Sequence, residues 1–403
     1  MLVNARSPGQ KTLRSPVVTI GAAFAVGIGY MDPGNWATDL DATRYGTTLL
    51  WAVLLSGAGA VLLQLLVVRY AASSGEDLAR AIARTWPRPA AWLWPLYTVA
   101  IVATEVAEFT GVVVGIELVA RVPLSTAIAA GIALFIAMLL FGGVTMRRFE
   151  RFAIVTTAFL AAAYAIDCAL LRPAAGPIVA GALVPSLAGP GALLAVVGIV
   201  GATIMPHNLF LHGGLVASRF GAAPPVERPG VERRAVRYTV IALAIATAIN
   251  AAILIVGDAV GARTVESAFA TLAPVAGAGS ALLFGIALIA AGLAATGSGV
   301  CAGDVIFHDG APMRLTLVQR RALALVPAAA LLAFGVSPTA LLVGSQVALA
   351  LILPAVVVPL ITLVVRGTVR RTRGGLLLLA SSSTVVVAAM VCDGVLITSL
   401  LHA

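Results

Sequence analysis

The sequence is poor in charged residues and in cysteine. Only 11% of its 403 residues are Asp, Glu, Lys or Arg, against about a quarter in a typical soluble domain. The mean hydropathy is +1.04, so we predict that lipid, not water, is the solvent for most of the chain. The three cysteines lie far apart in apolar runs, without CxxC or Cys/His metal spacing, and are predicted to be packing residues.

Motifs of membrane enzymes and of exported proteins are also missing. HExxH does not occur, and no Ser or Cys lies beside a His in a polar span, which argues against an intramembrane hydrolase. No large soluble region is available for ATP hydrolysis, so we expect neither an enzyme nor a cofactor. No cleavable signal peptide is evident, and the polar, basic segment Met1–Ser15 is predicted to be a cytoplasmic tail.

Long apolar runs, separated by charge, Pro and Gly, predict an all-α integral membrane protein with eleven transmembrane helices. The predicted spans 1 to 11 are 17–43, 47–70, 90–120, 122–143, 152–171, 191–219, 236–258, 279–306, 319–335, 338–365 and 374–401.

The basic residues indicate an orientation. Of the 26 Lys and Arg residues, all but Arg44, Arg121, Arg172 and Arg263 fall on one side of these spans. The positive-inside rule places the rich side in the cytoplasm, which predicts a multi-pass protein of the cell membrane with a cytoplasmic N-terminus and an external C-terminus. The same distribution accounts for the net positive charge without nucleic acid, so we expect neither a nucleic-acid partner nor an obligate protein partner.

Two spans contain helix-breaking residues at mid-membrane depth. Span 1 contains Asp32-Pro33-Gly34-Asn35 and span 6 contains Met205-Pro206-His207-Asn208. Proline removes a backbone donor, and the carbonyls it leaves free are costly in hydrocarbon unless something binds them. Each break lies in the first helix of a five-helix unit, which is typical of inverted-repeat transporters. We therefore predict repeats at 16–172 and 173–366, followed by a basic loop and helix 11 at 367–403.

The two breaks offer a mixed set of metal ligands. Asp32 supplies an anionic oxygen, Asn35 a neutral oxygen, and Met205 a soft thioether sulfur, while unwinding frees the Ala202 carbonyl. Oxygen ligands suit Mg²⁺, Ca²⁺ and Mn²⁺, and sulfur shifts the preference towards softer ions. The mixture favours a borderline divalent metal as the cargo.

These motifs resemble the Nramp/MntH family of metal-ion transporters. The wider match includes 201–212, 107–111 and 345–347 and extends over nearly the whole chain. The resemblance implies a LeuT-type fold and proton-coupled uptake of Mn²⁺ or Fe²⁺ by alternating access. By matching positions, it implies that Asp32, Asn35, Met205 and the Ala202 carbonyl bind the metal. It also implies that Gln346 approaches the metal in some states.

Proton coupling requires groups whose charge changes as the metal arrives. A bound divalent cation favours ionised Asp32, so metal entry is expected to expel a proton. His207 lies beside the second break, and Glu105 and Glu108 lie three residues apart on one face of span 3. The resemblance implies a proton route made of these span-3 acids and an arginine pair, Arg320 and Arg321. The chain departs from the usual family pattern in having Glu at position 105 and Thr at position 98.

Several alternatives share parts of this pattern. An Nramp-related Mg²⁺ transporter would lack the sulfur of Met205. An amino-acid symporter of the same fold would bind a carboxylate, which Asp32 would repel. A channel is also compatible with polar spans, although broken helices with one deep carboxylate favour alternating access.

Overall fold

A computed structural model describes residues 17–141, 146–187, 189, 191–222, 224, 226–310, 316–367 and 373–401. These residues are almost entirely helical, and none of them belongs to a strand. The predicted tail Met1–Ser15 and most of the basic loop before helix 11 lie outside the described residues.

The described residues form sixteen α-helices, with a 3-10 turn at Ile28–Met31, a second at Thr43–Leu49 and a π-turn at Ile306–Gly310. In chain order the helices are α1 (Val17–Gly27), α2 (Pro33–Ala42), α3 (Leu50–Ser74), α4 (Leu78–Thr85), α5 (Pro87–Ala120), α6 (Leu124–Phe141), α7 (Met146–Leu171), α8 (Ala175–Leu183), α9 (Ala192–Thr203), α10 (Pro206–Ala222), α11 (Arg228–Ala259), α12 (Val265–Ala276), α13 (Ala278–Val305), α14 (Leu317–Ala333), α15 (Pro338–Arg366) and α16 (Arg373–Leu401).

Every predicted span coincides with one of these helices or with a consecutive pair. Eight helical stretches of the described chain are long and apolar enough to cross a membrane, and three shorter apolar helices accompany them. The helix in predicted span 9, α14, has 17 residues with Pro327 inside it and belongs to neither group. The all-helical membrane fold is confirmed, while the count of eleven spans stays a prediction.

Three short helices lie in segments that the sequence analysis treated as connections, namely α4, α8 and α12. Two of them begin with a side-chain cap, which satisfies backbone N–H groups at the helix start. Asp77 accepts a hydrogen bond from the Arg80 amide at the start of α4, and Thr264 and Ser267 form a capping box on α12. These helices were missed because their caps are short local signals beside much longer apolar runs.

The long helix α5 forms the middle of the packing and lies along α13 and α15, while α1 lies against α7 and α11. Most of the buried interior is apolar, as expected for helices packed in lipid. Fully buried polar residues gather where α1 gives way to α2 and where α9 gives way to α10. The fold therefore concentrates its polar side chains around the two predicted breaks.

Candidate metal site

The first break lies between α1 and α2. Helix α1 ends at Gly27, a 3-10 turn follows, and Asp32 adopts an extended conformation before α2 begins at Pro33. Pro33 has no N–H to donate to the carbonyl of Gly29, so the helical ladder cannot continue across it. Asp32 then caps α2, since its Oδ1 accepts hydrogen bonds from the Asn35 backbone N–H at 2.9 Å and from Asn35 Nδ2 at 2.8 Å. The predicted pair Asp32 and Asn35 is thus held together by the helix start itself.

The second break lies between α9 and α10. Helix α9 ends at Thr203, Ile204 and Met205 are not helical, and α10 begins at Pro206. The residue four positions after Ala202 is Pro206, so the Ala202 carbonyl has no helical N–H partner. Met205 is fully buried, and its sulfur accepts a hydrogen bond from Asn208 Nδ2 at 3.6 Å. Both the freed carbonyl and the thioether therefore lie at the unwound point, as predicted.

Helix α15 brings Gln346 against both breaks. A Cβ added at Gly34 would lie 1.8 Å from Gln346 Nε2, so the amide lies directly on the start of α2. A Cβ added at Gly201 would lie 2.0 Å from the carbonyl oxygen of Gln346, so α9 and α15 touch through their backbones. The two breaks also meet directly, because the Asn208 amide packs against Gly29. The structure therefore brings the five predicted metal residues into one region.

Three buried side-chain oxygens in this region have no hydrogen-bond partner among the described residues. They are Asp32 Oδ2, Gln346 Oε1 and Asn250 Oδ1. Buried oxygens without partners are uncommon, because each loses its hydration without compensation. An arrangement of one carboxylate and two amide oxygens with spare lone pairs is suited to a cation.

Asn250 of α11 is a site residue that sequence reasoning missed. Its Nδ2 donates to the Tyr30 carbonyl at 3.0 Å and lies 3.3 Å from Asn35 Oδ1, so it holds the turn that precedes Asp32. The available signal was a lone amide within the apolar run of span 7. That signal does not reveal which other helix the amide faces.

The predicted proton residues Glu105 and Glu108 are buried on α5, with 5% and 1% of their surface exposed. Both face α13, since a Cβ at Gly299 would lie 3.4 Å from Glu108 Oε1 and 3.8 Å from Glu105 Cγ. His207 is joined to the same helix, because its Nδ1 lies 3.1 Å from the Thr104 hydroxyl. Thr104, the residue before Glu105, was also missed by the sequence analysis, and its hydroxyl connects the second break to α5.

The arginine pair Arg320 and Arg321 belongs to α14. The side chains of both residues lie outside the described part of the structure. Their predicted role in a proton route therefore stays a prediction.

No group of three or more His, Cys, Asp or Glu side chains gathers within the described ranges in a way that could hold a metal ion. The candidate site differs from such clusters because it combines a single carboxylate with amide oxygens, a thioether and a backbone carbonyl.

Comparisons with known proteins give a consistent result. The family model described as "Natural resistance-associated macrophage protein-like" matches residues 23–399. A protein named divalent metal cation transporter MntH from Mesorhizobium japonicum is 37% identical over 365 residues, covering 86% of this chain and 80% of the relative. A protein of the same name from Acidiphilium cryptum is 36% identical over 388 residues, covering 92% and 87%.

Solved structures agree with the sequence relatives. The crystal structure of the Eremococcus coleocola manganese transporter, in complex with an aromatic bis-isothiourea substituted compound, superposes with a TM-score of 0.83 at 27% identity. The alignment covers 98% of this chain and 88% of that one. With the family model matched over most of its length, the chain belongs to the Nramp family of membrane transporters.

Proposed function

We propose that the chain is a secondary transporter that imports divalent transition-metal ions, Mn²⁺ foremost and Fe²⁺ as well, together with protons. The observation that carries the proposal is the buried carboxylate of Asp32, whose Oδ2 has no hydrogen-bond partner among the described residues. A carboxylate at this depth is costly unless a cation or a proton neutralises it. The names of the relatives, which are divalent metal cation and manganese transporters, support the same cargo.

The donor set favours a borderline metal over the abundant hard ions. Oxygens of Asp32, Asn35 and the Ala202 carbonyl would suit Mg²⁺, Ca²⁺ and Mn²⁺ alike. The sulfur of the fully buried Met205 adds a soft ligand that Mn²⁺ and Fe²⁺ accept more readily than Mg²⁺ or Ca²⁺ do. This sulfur separates the proposal from the alternative of a Mg²⁺ transporter, and the charge of Asp32 separates it from an amino-acid symporter.

Replacing Met205 with Ala is expected to change selectivity more than transport. Mn²⁺ keeps its oxygen ligands, whereas Mg²⁺ and Ca²⁺ no longer meet a site with a poorly matched sulfur. We expect the preference for Mn²⁺ over Ca²⁺ to fall about tenfold, which corresponds to about 1.4 kcal/mol. Competition of Ca²⁺ and Mg²⁺ against Mn²⁺ uptake measures the preference, and an equal loss for every metal would contradict the selectivity role.

The proposed orientation in the membrane rests on the distribution of basic residues. Arginines cluster at the end of α3 and in α4, at the start of α7, and from the end of α10 into the start of α11, which supports a cytoplasmic location for those helix ends. The ends of α2 and α7 and the start of α13 then face outwards. We accordingly place the protein in the cell membrane with its N-terminus inside.

Proton coupling is the part of the proposal that involves α5. A proton leaving Asp32 when the metal binds needs acceptors outside the metal's ligands. His207 on α10 and Glu105 and Glu108 on α5 are buried titratable groups that could accept it. The contact between His207 and Thr104 supports a connection from the second break to these acids.

Replacing Glu108 with Gln should impair proton movement more than metal binding. The amide keeps the shape of the side chain and removes its titration, while Glu108 lies on α5 outside the predicted metal ligands. Proton influx into liposomes should fall several-fold, with Mn²⁺ affinity measured by calorimetry changed little. The partly exposed Glu117 on the same helix provides the control, since Glu117→Gln should alter neither quantity. Collapsed metal affinity with normal proton flux would instead make Glu108 a metal ligand.

The decisive test is transport by the purified protein in liposomes. We expect saturable Mn²⁺ uptake that increases when the external side is made acidic and that persists with excess Mg²⁺ present. Absence of Mn²⁺ uptake by a folded protein would refute the proposal, and equal uptake of Mg²⁺ would favour the Nramp-related Mg²⁺ transporter.

A further inference from the structure

An aromatic contact lies one helical turn after Asp32 on α2. Trp36, four residues after Asp32, is fully buried, and its ring lies 5.2 Å, centroid to centroid, from the rings of both Tyr164 and Phe284. These three rings join α2 to α7 and α13. Along α2, Trp36 lies between Asp32 and Asp39.

A second set of buried polar side chains lies beyond these rings. One helical turn along from the ring residues are Asp39 on α2, Asp167 on α7 and Ser280 on α13, at spacings of three or four residues that keep them on the same helix faces. We call Asp39, Asp167, Ser280 and the hydroxyl group of Tyr164 the Tyr164 layer; the ring of Tyr164 is part of the aromatic contact. By the orientation proposed above, this layer lies on the outer side of Trp36.

The members of the Tyr164 layer are shielded from water but incompletely hydrogen-bonded. Their exposed fractions are 2% for Asp39, 2% for Tyr164, 1% for Asp167 and 6% for Ser280. The Ser280 hydroxyl donates to Asp167 Oδ1. Asp39 Oδ2 and the Tyr164 hydroxyl have no partner among the described residues. Tyr164 and Asp167 lie three residues apart on one face of α7, and the Trp36–Tyr164 ring contact brings that face against α2, three residues before Asp39.

The layer contains two carboxylates and no compensating charge. Neither Asp39 nor Asp167 forms an ion pair with a basic side chain anywhere in the described chain. Asp39 is also within electrostatic range of Asp32, which adds a further negative group on the same helix. Buried carboxylates without a counter-charge are strongly unfavourable. A cation in the layer would neutralise them and would also satisfy the free Tyr164 oxygen.

We propose that the Tyr164 layer is a second binding site for divalent cations, occupied before the ion passes Trp36 to reach Asp32. The donors are carboxylate and hydroxyl oxygens, which are hard ligands that accept Ca²⁺ and Mg²⁺ as readily as Mn²⁺. With only two carboxylates, the site should be weak, with a dissociation constant of about 10⁻⁴–10⁻³ M. The layer would therefore concentrate cations without selecting among them, and selection would fall to Met205. Only the direction of travel rests on the proposed function.

The binding test uses purified full-length protein in which Asp32→Asn removes the charge of the inner site. Equilibrium binding of radioactive Mn²⁺ should reveal one remaining weak site, which Ca²⁺ displaces. Adding Asp167→Asn should reduce this residual affinity at least about tenfold. Adding Tyr164→Phe, which keeps the ring against Trp36 and removes only the hydroxyl, should reduce it by about threefold.

Asp41→Asn is the matched control in the same background. Asp41 is an acid on α2 close to Asp39, but it is partly exposed and pairs with Arg44. Its substitution should leave the residual Mn²⁺ affinity unchanged, and size-exclusion chromatography establishes that each variant is folded.

Two results would overturn the proposal. One is a folded Asp32→Asn protein that binds no Mn²⁺ up to about 10 mM, a concentration well above the expected dissociation constant. The other is residual binding that survives Asp167→Asn or is lost equally in Asp41→Asn. In either case, Mn²⁺ binding by the wild-type protein tests the proposed transport function separately. If the wild-type protein still binds one Mn²⁺, that function stands; if it binds none, the transport proposal is refuted as well.

Discussion

Asp32→Asn is expected to abolish Mn²⁺ uptake almost completely. The substitution removes the only carboxylate in the two breaks, while Asn keeps nearly the same size and can still cap α2. Loss of a charged ligand to a divalent ion should weaken inner-site binding by more than about 100-fold, since even groups behind the ligands change metal affinity by about 10–100-fold. Uptake of Mn²⁺ by liposomes at micromolar concentration is the measurement.

The control for this variant is Asp77→Asn. Asp77 caps α4 through the Arg80 amide in the same way that Asp32 caps α2 through the Asn35 amide. The control therefore reproduces the change at a helix start without touching the metal region, and its uptake should be normal. Normal uptake by a folded Asp32→Asn protein would place the transported ion elsewhere in the chain.

Gly201→Ala is expected to cause a comparably large loss, for a steric reason. The added Cβ would lie 2.0 Å from the carbonyl oxygen of Gln346 and 2.8 Å from Cβ of Ala350, so two helix backbones would have to separate. Because interiors are close-packed, such a separation cannot be absorbed by one side chain. We expect uptake to fall more than about tenfold and the melting temperature of the purified protein to decrease by several degrees.

Gly198→Ala is the matched control on the same helix. There the added Cβ would lie 3.3 Å from Cγ2 of Thr38, a side-chain methyl group that can shift slightly. Uptake and melting temperature should stay near wild type. If both glycine variants behave alike, the contact between α9 and α15 is not what holds the second break in place.

The proposed two-site arrangement divides two tasks that one site performs poorly. Hard oxygens in the Tyr164 layer would attract divalent cations by charge, and the sulfur of Met205 would discriminate among them at the break. Selectivity requires a difference in affinity between competing ions, whereas loading requires only that some cation be bound. Trp36, whose ring packs on Tyr164 and Phe284, lies between the two proposed sites along α2.

The sequence by itself determined the breaks and the residues within them. Pro33 and Pro206 have no N–H to donate to the carbonyls four residues earlier, those of Gly29 and Ala202. The loss of helix at Asp32 and at Met205 therefore follows from local rules. The low charge and long apolar runs determined the all-helical membrane class in the same way. A hydrogen-bond requirement that spans four residues can be recognised in a sequence without knowing the fold.

Only the tertiary structure decided which distant side chains meet these breaks. Gln346 touches Gly34 and Gly201, and Asn250 donates to the Tyr30 carbonyl, although each pair is more than a hundred residues apart in the chain. Asp167 was an inconspicuous acid near the end of an apolar run until packing placed it in the Tyr164 layer. Contacts between helices depend on how their surfaces fit, and an apolar surface looks much the same in sequence whichever neighbour it meets.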